Sequence, residues 1–417
     1  MEIKQLVLKV ASRCNLNCTY CYMYNMGDQT FSAQPKLMSD TTITLLLNKV
    51  KRYCVTNNIK EFDFVLHGGE PLLAGMDYIS KLLGKAKAIL LPEVTPRFSL
   101  QTNGVLIDEQ WSRFFRDNDI FVGVSMDGPG KVHDLYRKYH SGKGSFNDVL
   151  SGINTLSRHN EFGILSVINI DVDPAELYEL IKSNRFDNVN LLFPEASHDK
   201  PPLQDPDYFE NRRTAYADWL IQLYTLWRND HHNRPSIFIF RQIISLILGM
   251  PDIGDELIGT KKNTVMVIET DGSMEAADTL RIVGNGFTKQ GLNISDHDIE
   301  DAINNPLTAL YINSHQALSA QCVNCPIKDV CGAGMLAHRY KKENGFNNPT
   351  IYCHDMIKLI TCIQNDIVNS FPGTVMSETG VKAMTFEDVI SMLEEAPAAA
   401  IGWEDGYLET FRDYTGV

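Results

Sequence analysis

Two hydrophobic periods alternate along the first two hundred residues. Short apolar, β-branched runs at 3–11, 62–66, 98–102, 121–126, 164–170 and 189–193 have the length and composition of buried strands. Between them, residues 41–54, 76–91, 108–117, 146–156 and 175–183 place apolar side chains at helical spacing, as Ile43, Leu46, Leu47 and Val50 do. Strands alternating with helices predict parallel pairing through crossover connections. Six such units over residues 1–200 predict an α/β fold, a partial (β/α)6 TIM-like barrel. Residues 201–262 read as a proline-rich linker followed by helices at 208–227 and 241–248. Residues 263–371 open with a strand at 264–269 that runs into the turn Asp271-Gly272, and continue with helices at 307–318 and 356–368. Residues 372–417 form a helical C-terminal extension, with helices expected at 386–393 and 408–414.

In a barrel of this kind the loops that follow the strands carry the chemistry. Here those loops are polar and marked by glycine. Ser12–Cys21 follows the first strand, His67-Gly68-Gly69-Glu70-Pro71 the second, Gln101-Thr102-Asn103-Gly104 the third and Ser125-Met126-Asp127-Gly128 the fourth. Each alone marks no more than a turn; together they mark one rim as a site.

The first loop holds Cys14, Cys18 and Cys21 in the spacing C-x3-C-x2-C. Thiolates are the ligands that iron–sulfur clusters prefer. Three of them hold three irons of a four-iron cluster and leave the fourth open to a ligand. A second group, Cys322, Cys325, Cys331 and Cys353, supplies four thiolates, enough to close a cluster or, equally, a structural zinc site. Of the nine cysteines only Cys54 and Cys362 stand apart, which in a cytosolic chain reads as metal binding before disulfides. The N-terminal residues read as a strand without signal-peptide design, and no apolar run is long enough to span a bilayer, so a cytoplasmic location and no membrane partner are expected. A net charge of −14 argues against a nucleic-acid partner. Beside the open iron, Gly68 and Gly69 permit close backbone approach, Glu70 can accept from an ammonium group, and Arg137 can fork onto a carboxylate. The alternative for Glu70 and Arg137 is a surface ion pair.

The three-cysteine loop with Tyr20 before its last cysteine, followed by Gly68-Gly69-Glu70-Pro71, resembles the radical S-adenosylmethionine superfamily. The resemblance implies that Cys14, Cys18 and Cys21 bind a 4Fe–4S cluster whose fourth iron is chelated by S-adenosyl-L-methionine. One electron, from a donor such as flavodoxin or ferredoxin, then yields a 5′-deoxyadenosyl radical that abstracts hydrogen. Ser125-Met126-Asp127-Gly128, His133-Asp134, Arg137 and 142–146 resemble peptide-modifying members such as the anaerobic sulfatase maturases, which implies cofactor contacts from Ser125, Arg137 and Leu192; Tyr20, between two cluster cysteines, is expected near the adenine, and Gln101 at the third strand's end joins the cofactor contacts. The second cysteine group resembles the SPASM domain of those enzymes and implies one auxiliary cluster. The positions of a further, proximal cluster carry Ala277 and Met335, so a second auxiliary cluster is not expected. Asp278 stands where those maturases have the base that deprotonates the substrate radical; the alternative is a turn or capping aspartate.

More particular stretches are 191–199, 270–280 and Cys331-Gly332-Ala333-Gly334 with His338-Arg339-Tyr340. They resemble radical maturases of ribosomally made peptides that form three-residue cyclophanes (the Xye, Grr and Fxs types). The likeness implies a precursor-peptide substrate and a carbon–carbon bond between an aromatic side chain and the β-carbon of a residue two positions on. Oxidation of Cys or Ser to formylglycine stands as the alternative within enzymes, and a zinc-stabilised binding module as the alternative outside them. A chain starting directly on its first strand leaves leader recognition to the barrel, the region after 200, the tail or another protein.

Overall fold

The computed structural model describes residues 2–250, 252–371, 383–396 and 410–412. In chain order the strands are β1 (Gln5–Ala11), β2 (Glu61–Gly68), β3 (Thr95–Thr102), β4 (Ile120–Ser125), β5 (Phe162–Val167), β6 (Asn188–Leu192), β7 (Ser236–Ile237), β8 (Val265–Ile268) and β9 (Met274–Glu275). The helices between them are α1 (Asp40–Thr56), α2 (Met76–Leu90), α3 (Glu109–Asp117), α4 (Gly130–Tyr136), α5 (Phe146–Leu156), α6 (Pro174–Ser183), α7 (Ala215–Asn229) and α8 (Phe238–Ile247). The described residues divide into two compact units that interleave in sequence, one of residues up to 167 and 264–312, the other of 168–263 and those from 313 to 412.

The first unit is an open α/β sheet in the order β5-β4-β3-β2-β1-β8-β9, parallel except for β9. β2 and β3 alternate inward apolar residues with outward, mostly polar ones. β2 buries Phe62, Phe64 and Leu66 and exposes Glu61 and Asp63. Phe64 stacks on Phe98 of β3 with ring centroids 5.6 Å apart; each buried ring contributes about 1.5–3 kcal/mol. α1 starts where Ser39 accepts from the Thr42 N–H, and it buries the stripe Ile43, Leu46, Leu47 and Val50. The register sets Lys9 of β1 beside His67 of β2.

One connection departs from the sequence reading. The strand at 264–269 was expected to open a separate segment. It is β8, and it pairs parallel with β1, Leu6 opposite Met266. β1 would otherwise end the sheet with its backbone donors and acceptors unpaired, and only a distant segment can cover it.

In the second unit β6 pairs with β7, Val189 opposite Ile237. α7 packs on the long helix Cys353–Ser370. The helix expected from 208 begins only at Ala215, because Arg212 takes a positive φ of 50° that breaks the run before it. Tyr208, left outside, donates its hydroxyl to Asp355 (2.9 Å), which also accepts from the Ala217 N–H (2.8 Å). Burial pushes the Asp355 carboxyl up to about 7. The expected helix at 307–318 stops at Ile312. In the C-terminal extension, Phe386–Glu395 is helical behind a Thr385 capping box. Of the helix expected at 408–414 only residues 410–412 are described, as a turn, and the rest lies outside the described residues. Among the described residues no helix is long and apolar enough to cross a membrane.

Candidate active site

The cysteine loop leaves β1 and folds back on itself. The Cys21 N–H donates to Cys18 O (3.1 Å), and the Asn25 side chain donates to Cys18 O (2.7 Å) and to Asn17 Oδ1 (2.9 Å). Two neighbouring strand-end loops clamp it. From the β2 end, the Gly69 N–H donates to Ala11 O (2.8 Å) and the Glu70 N–H to Arg13 O (2.9 Å). From the β3 end, the Asn103 amide donates to Asn15 Oδ1 (2.7 Å) and reaches Cys14 Sγ (3.7 Å). A side chain at Gly69 would put its Cβ 2.1 Å from the Tyr24 hydroxyl and 2.4 Å from Arg13 O. At Gly68, where φ is +148°, it would lie 2.0 Å from Ala11 O. The two glycines thus bring the β2 loop against the cysteine loop itself.

Cys14 and Cys21 are half-buried and Cys18 is buried, all as free thiols. Burial, then the Glu70 carboxylate, pushes the Cys14 thiol up to about 12; burial and then Cys18 push Cys21 up to about 11. Such thiols ionise only when a cation replaces their protons, so loading of the site releases protons.

Glu70 and Arg137 are not a surface ion pair; both are buried. Glu70 Oε1 accepts from the Leu72 N–H (3.0 Å) and the Thr102 hydroxyl (2.8 Å), and Oε2 from the Asn103 N–H (2.8 Å). Burial still raises its pKa. Arg137 Nη1 donates to the Tyr20 hydroxyl (2.8 Å) and lies 3.8 Å from Asp127 Oδ2, while its buried Nε has no hydrogen-bond partner. Tyr20 donates in turn to Asp127, whose other oxygen accepts from the Val167 N–H (3.0 Å). Gln101 Nε2 donates to Ser125 Oγ (2.9 Å). Asp127 and Asn103 were legible only as strand-end residues, yet they position Tyr20 and the cysteine loop.

Asp278 opens a short turn after β9 and meets the same loop. Its Oδ2 accepts from Lys9 Nζ and from the hydroxyl of Tyr22 (3.1 Å), the residue after Cys21. Lys9 and the Gly68 N–H both approach His67 Nδ1 (3.0 and 2.8 Å), so that nitrogen is an acceptor and the ring proton sits on Nε2. Burial opposes the charge on Asp278, but Lys9 and then His67 outweigh it and hold the carboxyl well below its ordinary range. Burial, then Lys9, pushes His67 down to about 4. Lys9 is buried mid-strand with Asp278 as its counter-charge; no apolar–polar period announces it. Next door, Arg281 pairs with Asp28 (2.5 Å), Glu269 (2.7 Å) and Glu275 (2.8 Å), and Lys289 adds a second cation on Glu275 (2.8 Å).

Leu192 ends β6 in the second unit, half-buried. The second cysteine group lies in that unit too. Cys322 sits in the short helix Ala320–Val323, Cys331 closes Lys328–Cys331, and Cys353 begins the long helix. With Cys325 they line one cavity, walled by Ile327, Ala333, Pro349, Thr350 and Ile357. Burial first, then the charges of its fellow cysteines, raises the Cys353 thiol far above its ordinary range. Among the described residues no three or more His, Cys, Asp or Glu side chains converge at the spacing of one metal ion. A cluster gives each thiolate its own iron, so a cavity lined by four thiols fits that group.

Residues 8–183 match the Radical SAM superfamily. Over 366 residues the chain is 28% identical to a cysteine-type anaerobic sulfatase-maturating enzyme of Clostridium novyi (strain NT), covering 84% of this chain and 92% of that one. Over 182 residues it is 36% identical to a serine-type anaerobic sulfatase-maturating enzyme of Bacteroides thetaiotaomicron, 42% of each chain. The solved structure of native anSMEcpe with bound AdoMet shares the fold at a TM-score of 0.75 and 24% identity, over 88% of this chain and 98% of that one. The chain therefore carries a radical SAM domain, whose cofactors are S-adenosyl-L-methionine and 4Fe–4S iron–sulfur clusters.

Proposed function

We propose that the chain is a radical SAM maturase that oxidises a peptide side chain by two electrons. The observation that carries this reading is Asp278, a half-buried carboxylate held by Lys9 and Tyr22 against the cysteine loop. A base beside the radical source serves a reaction that removes a hydrogen atom, then a proton and an electron. The cluster and S-adenosyl-L-methionine, when bound, supply the radical that takes the hydrogen atom. Cys14, Cys18 and Cys21 hold that cluster. Glu70 keeps acceptor capacity on Oε2 for the cofactor's ammonium, and Arg137, with its unpartnered buried Nε, takes the carboxylate. Tyr20, Gly68, Gly69, Gln101, Ser125 and Leu192 complete the cofactor contacts. Cys322, Cys325, Cys331 and Cys353, in the SPASM-like part of the chain, would hold an auxiliary cluster, which would supply an electron acceptor.

Two products fit. Formylglycine is favoured by the relatives, several of which are sulfatase-maturating enzymes. A cyclophane is favoured by Ala277 and Met335, which deprive the chain of a proximal auxiliary cluster, and by the likeness to cyclophane-forming maturases. Anaerobic reconstitution is expected to load about eight irons per chain, two clusters of four; zinc or no iron would sink the enzyme reading. Co-expression with the small open reading frames beside the gene separates the products. A cross-link removes two hydrogens and leaves no aldehyde. Formylglycine captures a hydrazide and, when made from cysteine, exchanges sulfur for oxygen.

A further inference from the structure

Arg339 closes the short turn Ala337–Arg339 in the second unit and has no exposed surface. Its hydrogen bonds run to backbone carbonyls. Nε donates to Asn348 O (3.2 Å), Nη1 to Ser314 O (2.9 Å), and Nη2 to Ala317 O (2.5 Å) and Phe346 O (3.2 Å). Carbonyls solvate a guanidinium but bring no net charge, and a buried cation without a counter-charge is strongly destabilising. Arg281, buried to the same degree, has three carboxylates. Among the described residues Arg339 has no carboxylate in ion-pair contact. Its partner Asn348 directly precedes Pro349 and Thr350, which wall the cavity of Cys322, Cys325, Cys331 and Cys353; burial opposes the charge on Arg339, and the side chains whose charge would favour it are Cys322 and Cys331. As thiols they are neutral. They become a counter-charge only when ligation makes them thiolates, and four thiolates on a four-iron core leave a net negative site.

We propose that Arg339 is the built-in counter-charge of the auxiliary cluster held by Cys322, Cys325, Cys331 and Cys353, and that it raises that cluster's reduction potential. The inference rests on the reading that these cysteines bind an iron–sulfur cluster. A fixed cation in a low-dielectric wall favours the more negative, reduced state. That suits a cluster whose task is to accept an electron from an oxidised substrate. Arg339 is thus a positioning residue for charge, acting through the cluster. The competing role is a mechanical brace, tying the carbonyls at 314–317 to those at 346–348.

The full-length chain with Cys14, Cys18 and Cys21 all replaced by alanine isolates the second site. Arg339→Gln and Arg339→Lys are compared in that background after anaerobic reconstitution, by iron content and by redox titration followed by electron paramagnetic resonance. Arg339→Gln is expected to lower the reduced-to-oxidised ratio at a fixed potential about tenfold, a downward shift of about 59 mV for a one-electron couple. Arg339→Lys, which keeps the charge but cannot reach all four carbonyls, is expected to titrate close to the parent. An unchanged potential in Arg339→Gln with a full cluster overturns the proposal. If Arg339→Gln retains too little iron to titrate, Arg339→Lys decides. Parental iron content and potential support the charge role, and loss of iron in both variants leaves the brace and overturns it. A parent that takes up no iron refutes the cluster reading itself and the proposal with it, and is told apart by that result alone.

Discussion

Replacing Cys18 by alanine is expected to reduce cleavage of S-adenosyl-L-methionine to background while leaving about four irons per chain. Cys18 is the buried member of its group, and its carbonyl receives both the Cys21 N–H and the Asn25 side chain, so the loop is built around it. Two remaining thiols cannot hold three irons of a four-iron cluster, whereas the cavity at Cys322, Cys325, Cys331 and Cys353 keeps all its ligands. The readout is 5′-deoxyadenosine under a strong reductant, alongside iron content. Cleavage at the parental rate would remove Cys14, Cys18 and Cys21 as the radical source, and loss of all iron would show that the two cysteine groups do not load independently.

Asp278→Asn is expected to separate two steps that the parent couples. Cofactor cleavage persists, because the cysteine loop is untouched, while product formation falls by about 10²–10⁴-fold, the worth of a positioned general base. Asparagine keeps the shape and can still accept from Lys9 and Tyr22, but it takes no proton. It also leaves the buried Lys9 ammonium without its counter-charge, so the melting temperature is expected to fall. Lys9→Met in the same chain removes that charge, and a double variant that recovers stability without recovering product separates the base from the ion pair. The pH dependence has a definite sign. The folded-state pKa of Asp278 is depressed. The stability of its pair with Lys9 is therefore complete above the unfolded-state value of about 3.9 and is lost as pH falls through the folded one. His67, pushed down to about 4, is neutral near pH 7, where Asp278 is charged. Neither group should place an acid limb on product formation between about pH 5 and 8. Undiminished product from Asp278→Asn would remove it as the base.

The elements of the first two hundred residues were legible because their periods differ and their ends are polar. β1 to β6 and the helices between them fall within a few residues of the expected positions, except α4, which was not expected. The cysteine groups were legible from spacing alone. What stayed hidden depends on residues far apart in the chain. The pairing of β8 with β1 is set by a free strand edge, which no local window contains. Lys9 reads as one more residue of an apolar strand, and its burial makes sense only once Asp278, His67 and Tyr22 stand around it. Glu70 and Arg137 looked like possible surface charges because burial is a property of the fold, and in it Glu70 accepts from the Asn103 N–H while Arg137 donates to the Tyr20 hydroxyl. Arg339 was a motif residue whose unbalanced charge became visible only with its carbonyl partners.

The central claim is that a hydrogen atom leaves a peptide side chain for the adenosyl cofactor and that the peptide ends two electrons more oxidised. It is tested most directly by giving the reconstituted chain an unmodified synthetic peptide, of the sequence found modified on co-expression, deuterated at its β-carbons, and weighing both products. Transfer of deuterium into 5′-deoxyadenosine, in proportion to oxidised peptide, is the expected result. Unlabelled 5′-deoxyadenosine accompanying oxidised peptide, or an unchanged peptide mass despite cofactor cleavage, would contradict the account.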